Sequence, residues 1–375
     1  MIYLDNAATT QPCDAAVEAA REAAQRYWYN PSSLYKPGLE VQLQCDAARK
    51  TVAQALGAQE KNIFFTSGGT EANNLAIHSA LTTGRRRGAH VVSSAYEHAS
   101  IHEKLRSLSD AEVTFVPAEK ETGEVDPKKI ADAVRKDTVL VTVMMSNNEV
   151  GGINNIAEIV RLVKEKNPQT SVHCDCVAAF GKLPISAKKL GVDTLTVSAH
   201  KIHGLKGTGA LYVRDKLHTV GLLVGGEQER ELRPGTENVP GILAMAAAVK
   251  DTVFRQKENA AYVRTLKEHL LERVNASEFV TVNCRNDFPY VVSLYVKGLR
   301  SEILLHFLES KDIYVSSGSA CSKGAKTHVL ASMGFDSQVQ DSTVRVSFCE
   351  KNTLEEVDRL IEEIENAERT LCTGR

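Results

Sequence analysis

The stretch from Thr196 to Gly209 constrains this chain more than any other. It reads Thr-Val-Ser-Ala-His-Lys-Ile-His-Gly-Leu-Lys-Gly-Thr-Gly and lies between two apolar runs, Val192 to Val197 and Ala210 to Val213, each the length of a buried strand. Two hydroxyls, two imidazoles, two lysines and three glycines therefore fall in a tight connection, where polar groups can converge on a ligand. Lys201 has two readings there. One is a solvated ammonium, the ordinary state of lysine. The other is an amine whose pKa is lowered by desolvation and neighbouring cations, so that it attacks a carbonyl and forms a Schiff base. His200 beside it and Lys206 nearby favour the second.

Composition sets outer bounds. A chain of 375 residues can bury a large core and divide into two domains. Its 45 Lys and Arg nearly cancel 47 Asp and Glu, leaving a formal net charge of -2, so no global field draws it to nucleic acid or membrane. Arg85-Arg86-Arg87 reads as a solvated helix end. No apolar run has the length of a membrane span, and Met1 to Asp5 lacks a signal-peptide layout, so a soluble cytoplasmic protein is expected. The eight cysteines are scattered, unlike a disulfide framework. Cys174-Asp175-Cys176 is spaced too closely for a Cys-x-x-Cys pair, and no second Cys or His pair stands at finger spacing, so no metal is expected.

In chain order, Asp14 to about Trp28 and about Leu39 to Gly57 read as helices. Ile63 to Thr66 is a β-rich run leading through Ser67-Gly68-Gly69-Thr70-Glu71 into a helical Ala72 to Ala80. A strand, a Gly-Gly turn and a helix start can hold a phosphate on backbone N–H groups, although glycine serves such turns for steric reasons alone. Val91 to Ser94, Val113 to Pro117, Val139 to Met145 and Val172 to Cys174 are further strands, with helices opening at Asp126-Pro127 and over Ile156 to Lys166. This alternation predicts an α/β protein with a mostly parallel sheet.

Ligands gather at the carboxyl ends of such strands. Glu97-His98, Asn147-Asn148-Glu149, Asp175 and Ser198-His200-Lys201 all fall there, and with Ser67 to Thr70 they predict one pocket. Taken singly, Asp175 also fits a helix cap and His98 a hydrogen-bonded core histidine. From about Lys250 a long charged helix, strands Phe279 to Val282 and Val291 to Val296, a helix Glu302 to Glu309, a strand Ile313 to Val315 and a capping box at Asn352 to Glu356 predict a smaller α+β domain. The expected division is 15–250 for the large domain, and 1–14 with 251–375 for the small one. Within the latter, Ser316 to Gly324 is a run of small and polar residues that cannot pack a core. Its Cys321 therefore reads as an exposed thiol, with Lys323 favouring the nucleophilic thiolate.

Together these motifs carry a resemblance. The segments Tyr3 to Thr10, Thr66 to Asn74, Asn147 to Gly151, Ser198 to Lys201 with the glycine-rich run behind it, Arg233 to Asn238 and Ser316 to Cys321 look like the cysteine desulfurases of the class V aminotransferase group, over essentially the whole chain and in order. Ser-Ser-Gly-Ser-Ala-Cys resembles the branch of the nitrogen-fixation and iron-sulfur assembly enzymes. The resemblance implies a homodimer of fold type I that depends on pyridoxal 5'-phosphate (PLP), with active sites at the subunit interface. By position Lys201 would carry PLP, Asp175 would pair with its ring nitrogen, and His98 would stack on the ring and assist proton transfer. Gly69, Thr70, Ser198 and His200 would hold the phosphate, Thr236 reaching it from the partner subunit. Asn148 would approach the substrate and the ring hydroxyl, and Arg345 would clamp the substrate carboxylate. The implied reaction converts L-cysteine to L-alanine and leaves its sulfur as a persulfide on Cys321, for transfer to an acceptor protein. Selenocysteine or another amino acid is the alternative substrate. Three positions depart from the family pattern: Ala178 stands where a ring-binding glutamine is usual, Cys349 where a glycine is common, and Tyr35 where a histidine is often found.

Overall fold

The structure is a computed structural model that describes residues 1–318 and 327–371. Its strands are β1 (Ile2–Tyr3), β2 (Ile63–Thr66), β3 (His90–Ser94), β4 (Glu112–Val116), β5 (Thr138–Thr142), β6 (Ser171–Asp175), β7 (Thr194–Ser198), β8 (Gly209–Val213), β9 (Val280–Val282), β10 (Val291–Val296), β11 (Ile313–Tyr314) and β12 (Thr343–Ser347). Seven form a sheet in the order β2-β8-β7-β6-β5-β3-β4. Every pair from β7 to β4 is parallel, while β8 runs antiparallel to β7 and β2 antiparallel to β8. The expected α/β class with a mostly parallel sheet is the observed one. Strands β2, β3, β5, β7 and β8 are buried at every residue, which explains their unbroken apolar runs: helices cover both faces.

A second sheet, β12-β10-β9, is antiparallel, and β1 pairs in parallel with β11. It carries its own apolar cluster, built from Leu266, Leu270, Leu294, Val346, Leu360 and Ile364 among others. Helix Leu354–Leu371 packs into that cluster behind the expected capping box. There Glu356 N donates to Thr353 Oγ1 and Thr353 N to Glu356 Oε2, both at 3.3 Å.

Two predicted helices differ in extent. The helix predicted from Ala72 begins at Gly69, its first bond running from Ala72 N to Gly68 O, while Glu71 Oε2 accepts from Ser67 N at 2.7 Å and braces the turn ahead of it. The single charged helix predicted from about Lys250 is two, Val239–Thr252 and Gln256–Asn275, joined by a short 3₁₀ turn. The first opens on Asn238, whose Oδ1 accepts from Gly241 N, with Pro240 in the first turn. Among the described residues no helix is long and apolar enough to cross a membrane.

Candidate active site

The carboxyl ends of β2, β3, β5, β6 and β7 surround a cavity of about 220 Å³. Its lining includes Ala8, Gly69, Thr70, His98, Asn148, Asp175, Ala178, Ser198, His200 and Lys201. The polar groups that the sequence placed after separate strands thus converge, because parallel strands deliver their C-terminal loops to one edge.

One wall is the amino end of helix Gly69–Gly84, where free N–H groups and the helix dipole favour an anion. Glycine is required at two places in this wall. A Cβ on Gly69 would meet Val177 Cγ2 at 2.9 Å, and one on Gly209 would lie 2.8 Å from both Gly68 C and Gly68 Cα. The second contact means that the turn before the helix rests on the bare backbone of β8. Thr70, Ser198 and His200 complete this wall. Burial pushes the His200 imidazole down to about 3, with Lys201 and Lys206 acting in the same direction, so it is neutral near pH 7.

Opposite stands Asp175, the last residue of β6. Its Oδ1 accepts from Val177 N and its Oδ2 from Asn73 Nδ2, each at 2.8 Å. Asn73 is buried, and its amide also donates to Ser100 Oγ at 2.9 Å while its Oδ1 faces His173 Nε2 at 3.0 Å. His173 Nδ1 in turn meets Thr194 Oγ1 at 2.9 Å. Burial holds His173 down at about 3, so its single ring N–H donates to Asn73 and its Nδ1 accepts from Thr194. This chain fixes the carboxylate in place.

His98 caps helix Ala99–Arg106, its Nδ1 accepting from Ser100 N at 3.1 Å. The proton of the neutral ring therefore sits on Nε2. Glu97 before it is wholly buried: Oε1 accepts from Ser94 Oγ and from Met144 N, and Oε2 has no partner among the described residues. Burial pushes this carboxyl up to about 8.

Lys201 Nζ donates to Ala7 O at 2.5 Å and Ala8 O at 2.7 Å. Desolvation first, then the Lys182 and Arg345 charges, bring its amine down to about 7, the nucleophilic state that sequence alone left as one of two readings. Lys182 itself is buried, with its Nζ 5.5 Å from the Tyr290 ring centroid.

Arg345 lies outside the cavity lining. It is almost wholly buried: Nη1 donates to Asn148 O at 3.0 Å and Nη2 to Asp5 Oδ1, while Nε has no partner among the described residues. Its strand is bridged to the root of the Ser316 to Gly324 run, since Ser316 N donates to Arg345 O and Arg345 N to Ser316 O. On the far side of that run, Thr327 Oγ1 donates to Glu149 Oε2 at 2.5 Å. Cys321 lies outside the described residues. Thr236 is exposed and stands apart from this cavity. Sequence reading placed Glu97 in the pocket with His98 but missed Asp5, Asn73 and Lys182 as parts of the site. Asp5 and Asn73 stood in quoted motifs, but Lys182 gave no local signal.

The donor set fits PLP. A helix terminus with hydroxyls suits a phosphate, a fixed carboxylate suits a protonated ring nitrogen, and a lysine amine brought down to about 7 suits an aldehyde. Fold and site together define a PLP-dependent enzyme of fold type I. Residues 2–360 match the model described as Aminotransferase class-V, and the chain belongs to that family, in its cysteine desulfurase branch. It is 38% identical over 371 residues to cysteine desulfurase IscS of Methanosarcina thermophila, covering 96% of this chain and 90% of that protein. Among solved structures it resembles a NifS-like protein at TM-score 0.93 and 34% identity, covering 98% of this chain and 99% of that one. The apo cysteine desulfurase of Thermococcus onnurineus NA1 aligns at TM-score 0.87 and 26% identity, over 98% of this chain and 95% of that one.

Proposed function

We propose that this chain removes sulfur from L-cysteine, releases L-alanine, and holds the sulfur on Cys321 for an acceptor protein in iron-sulfur cluster or thio-cofactor synthesis. The observation that carries the reading is that the desolvated Lys201 amine and Asp175 line one cavity, with the Arg345 strand tied to the root of the Cys321 run. When bound there, PLP supplies an electron sink for the substrate carbon.

The side chains divide the remaining work. Asn73 and Val177 N hold the Asp175 carboxylate toward the ring nitrogen. Gly69, Thr70, Ser198 and His200 would hold the phosphate, and Thr236 of a second copy would add to it. Arg345, with its spare Nε, takes the substrate carboxylate beside Asn148. Lys201 and His98 move protons at the substrate carbons, Lys201 with an amine neutral above about pH 7. The Cys321 thiolate attacks the substrate sulfur. An S–S bond forms as the Cβ–S bond breaks, and the electron pair stays on carbon, which takes up a proton to become the methyl group of alanine. Ala178 lines the cavity without offering a donor, so Asn148 remains for the ring hydroxyl.

The reading includes a cytoplasmic homodimer of two-domain subunits, 15–250 binding the cofactor and 1–14 with 251–375 closing on it. Apolar side chains at Leu34, Leu39, Leu43 and Val224 stand exposed, as a subunit interface would leave them in a lone chain. The test is an assay of sulfide and alanine after L-cysteine is added to the purified chain under reducing conditions. Cys321→Ala should keep the visible absorbance of bound PLP and lose sulfide release. Full sulfide production by that variant would overturn the persulfide route.

A further inference from the structure

We propose that His203, Cys349 and Glu350 form a tetrahedral site for a zinc-class divalent cation, which fastens the lysine-bearing turn to the chain leaving β12. One ligand atom from each residue lies within 4.8 Å of the other two. His203 Nε2 stands 3.4 Å from Glu350 Oε1, and two ligands each about 2.1 Å from a tetrahedral zinc ion are about 3.4 Å apart. Thiolate, imidazole and carboxylate are the donors zinc accepts, with a fourth position left for water.

The surroundings suit ligation. His203 Nδ1 donates to Gln11 O at 2.8 Å, the outer bond that commonly orients a metal-binding imidazole, and this leaves Nε2 for the ion. His203 has φ 61, in the left-handed region that non-glycine residues rarely enter. Thr10 Oγ1, accepting from His203 N at 2.8 Å, and Cys13 N, donating to His203 O at 2.8 Å, hold it there. A separate observation points to a missing ligand. Tyr290 is 2% exposed, its hydroxyl has no partner among the described residues, and the Glu350 carboxylate lies near enough to act on it, as does the Lys182 ammonium 5.5 Å from its ring. Water in the fourth position would give that hydroxyl a partner. The ion enters past Glu350, whose side chain is 24% exposed. Binding releases the Cys349 thiol proton and any proton on His203 Nε2 to solvent, and two anionic ligands offset the divalent charge. None of the three residues lines the PLP cavity. The site is coupled to it through chain connectivity, His203 lying two residues beyond Lys201 and Cys349 four beyond Arg345. Spacing along the chain could not reveal a cluster whose members are so far apart in sequence.

The experiment uses the full chain carrying PLP, with Cys321→Ala to remove a competing thiol. After chelator treatment and desalting, zinc is added by equilibrium dialysis and cobalt is followed by absorption in the red, beyond the cofactor band. The expected result is one zinc per chain and an intense tetrahedral cobalt spectrum. Adding Cys349→Ala should weaken binding at least about 100-fold, and Glu350→Gln about 10-fold. Glu350→Gln, at a partly exposed side chain, decides the matter if Cys349→Ala does not fold. The proposal is overturned by absence of stoichiometric zinc, by a weak octahedral cobalt spectrum, or by zinc binding that survives Cys349→Ala.

Discussion

Asp5→Asn separates the electrostatic part of the Arg345 anchorage from its packing. The Arg345 side chain is 1% exposed and that of Asp5 18%, with Nη2 and Oδ1 2.5 Å apart. Unit charges whose centres are about 4 Å apart attract by about 4 kcal/mol at an effective dielectric of about 20. The amide still accepts a hydrogen bond, retaining about 1 kcal/mol, and water reaching the carboxylate screens part of the rest. A net loss of about 2 kcal/mol is expected, below the roughly 3–5 kcal/mol seen when a fully buried pair loses one partner. Denaturant unfolding near neutral pH measures it. The same change should tighten binding of simple carboxylates such as L-alanine, because Asp5 no longer competes for the guanidinium, with about tenfold gained for each 1.4 kcal/mol released. Unchanged stability together with weaker carboxylate binding would refute this account and leave the Asn148 carbonyl as the true anchor.

The Glu97 carboxyl is raised from 4.5 to about 8, so the folded chain holds a proton that the unfolded chain gives up. Its contribution to stability is full below about pH 4.3 and is lost as pH rises toward the folded value, by about 1.4 kcal/mol per pH unit. Unfolding of Glu97→Gln, which cannot ionise, should show a gap over the parent chain that widens with pH across this range; a constant gap would contradict the assignment. Uptake of PLP by the cofactor-free chain should rise through about pH 7, where the Lys201 amine becomes neutral, and Lys182→Met should move that midpoint upward. A midpoint near the free-lysine value of about 10.4 would dismiss the desolvation argument. Gly209→Ala drives a methyl into the Gly68 backbone, and about 1–3 kcal/mol of stability should be lost as in other overpacked sites. Faster PLP loss on dialysis should accompany it, and unaltered retention would argue against the phosphate wall.

What the sequence made legible was whatever depends on neighbours along the chain. Ile156–Lys166 and Val291–Val296 fall where periodicity places them, and His98, Asp175, Ser198 and Lys201 were locatable because strand ends share one edge of a parallel sheet. The Gly69 helix start was missed because Gly68 and Gly69 read as a turn, whereas the first helical bond already runs from Ala72 N to Gly68 O. The role of Asp5, a member of the Tyr3 to Thr10 motif, was hidden for another reason: it lies in a pairing with Arg345 across 340 positions. Lys182 reads as an ordinary lysine until the fold buries it near Lys201. The Asn73 to His173 contact likewise joins positions 100 apart, so only its members, and not their partnership, could be seen.

The docking of Lys201 on the carbonyls of Ala7 and Ala8 bears on the order of synthesis. Residues 2–6 pair with Asp312, Tyr314 and Ser347. Residues 2–6 therefore wait for segments more than 300 positions further on before they can settle. Until then the strands that carry Asp175 and Lys201 can assemble, but the wall that seats the lysine amine has nothing to lean on. Cofactor capture thus follows the synthesis of β12, and a nascent chain halted before Arg345 should emerge colourless.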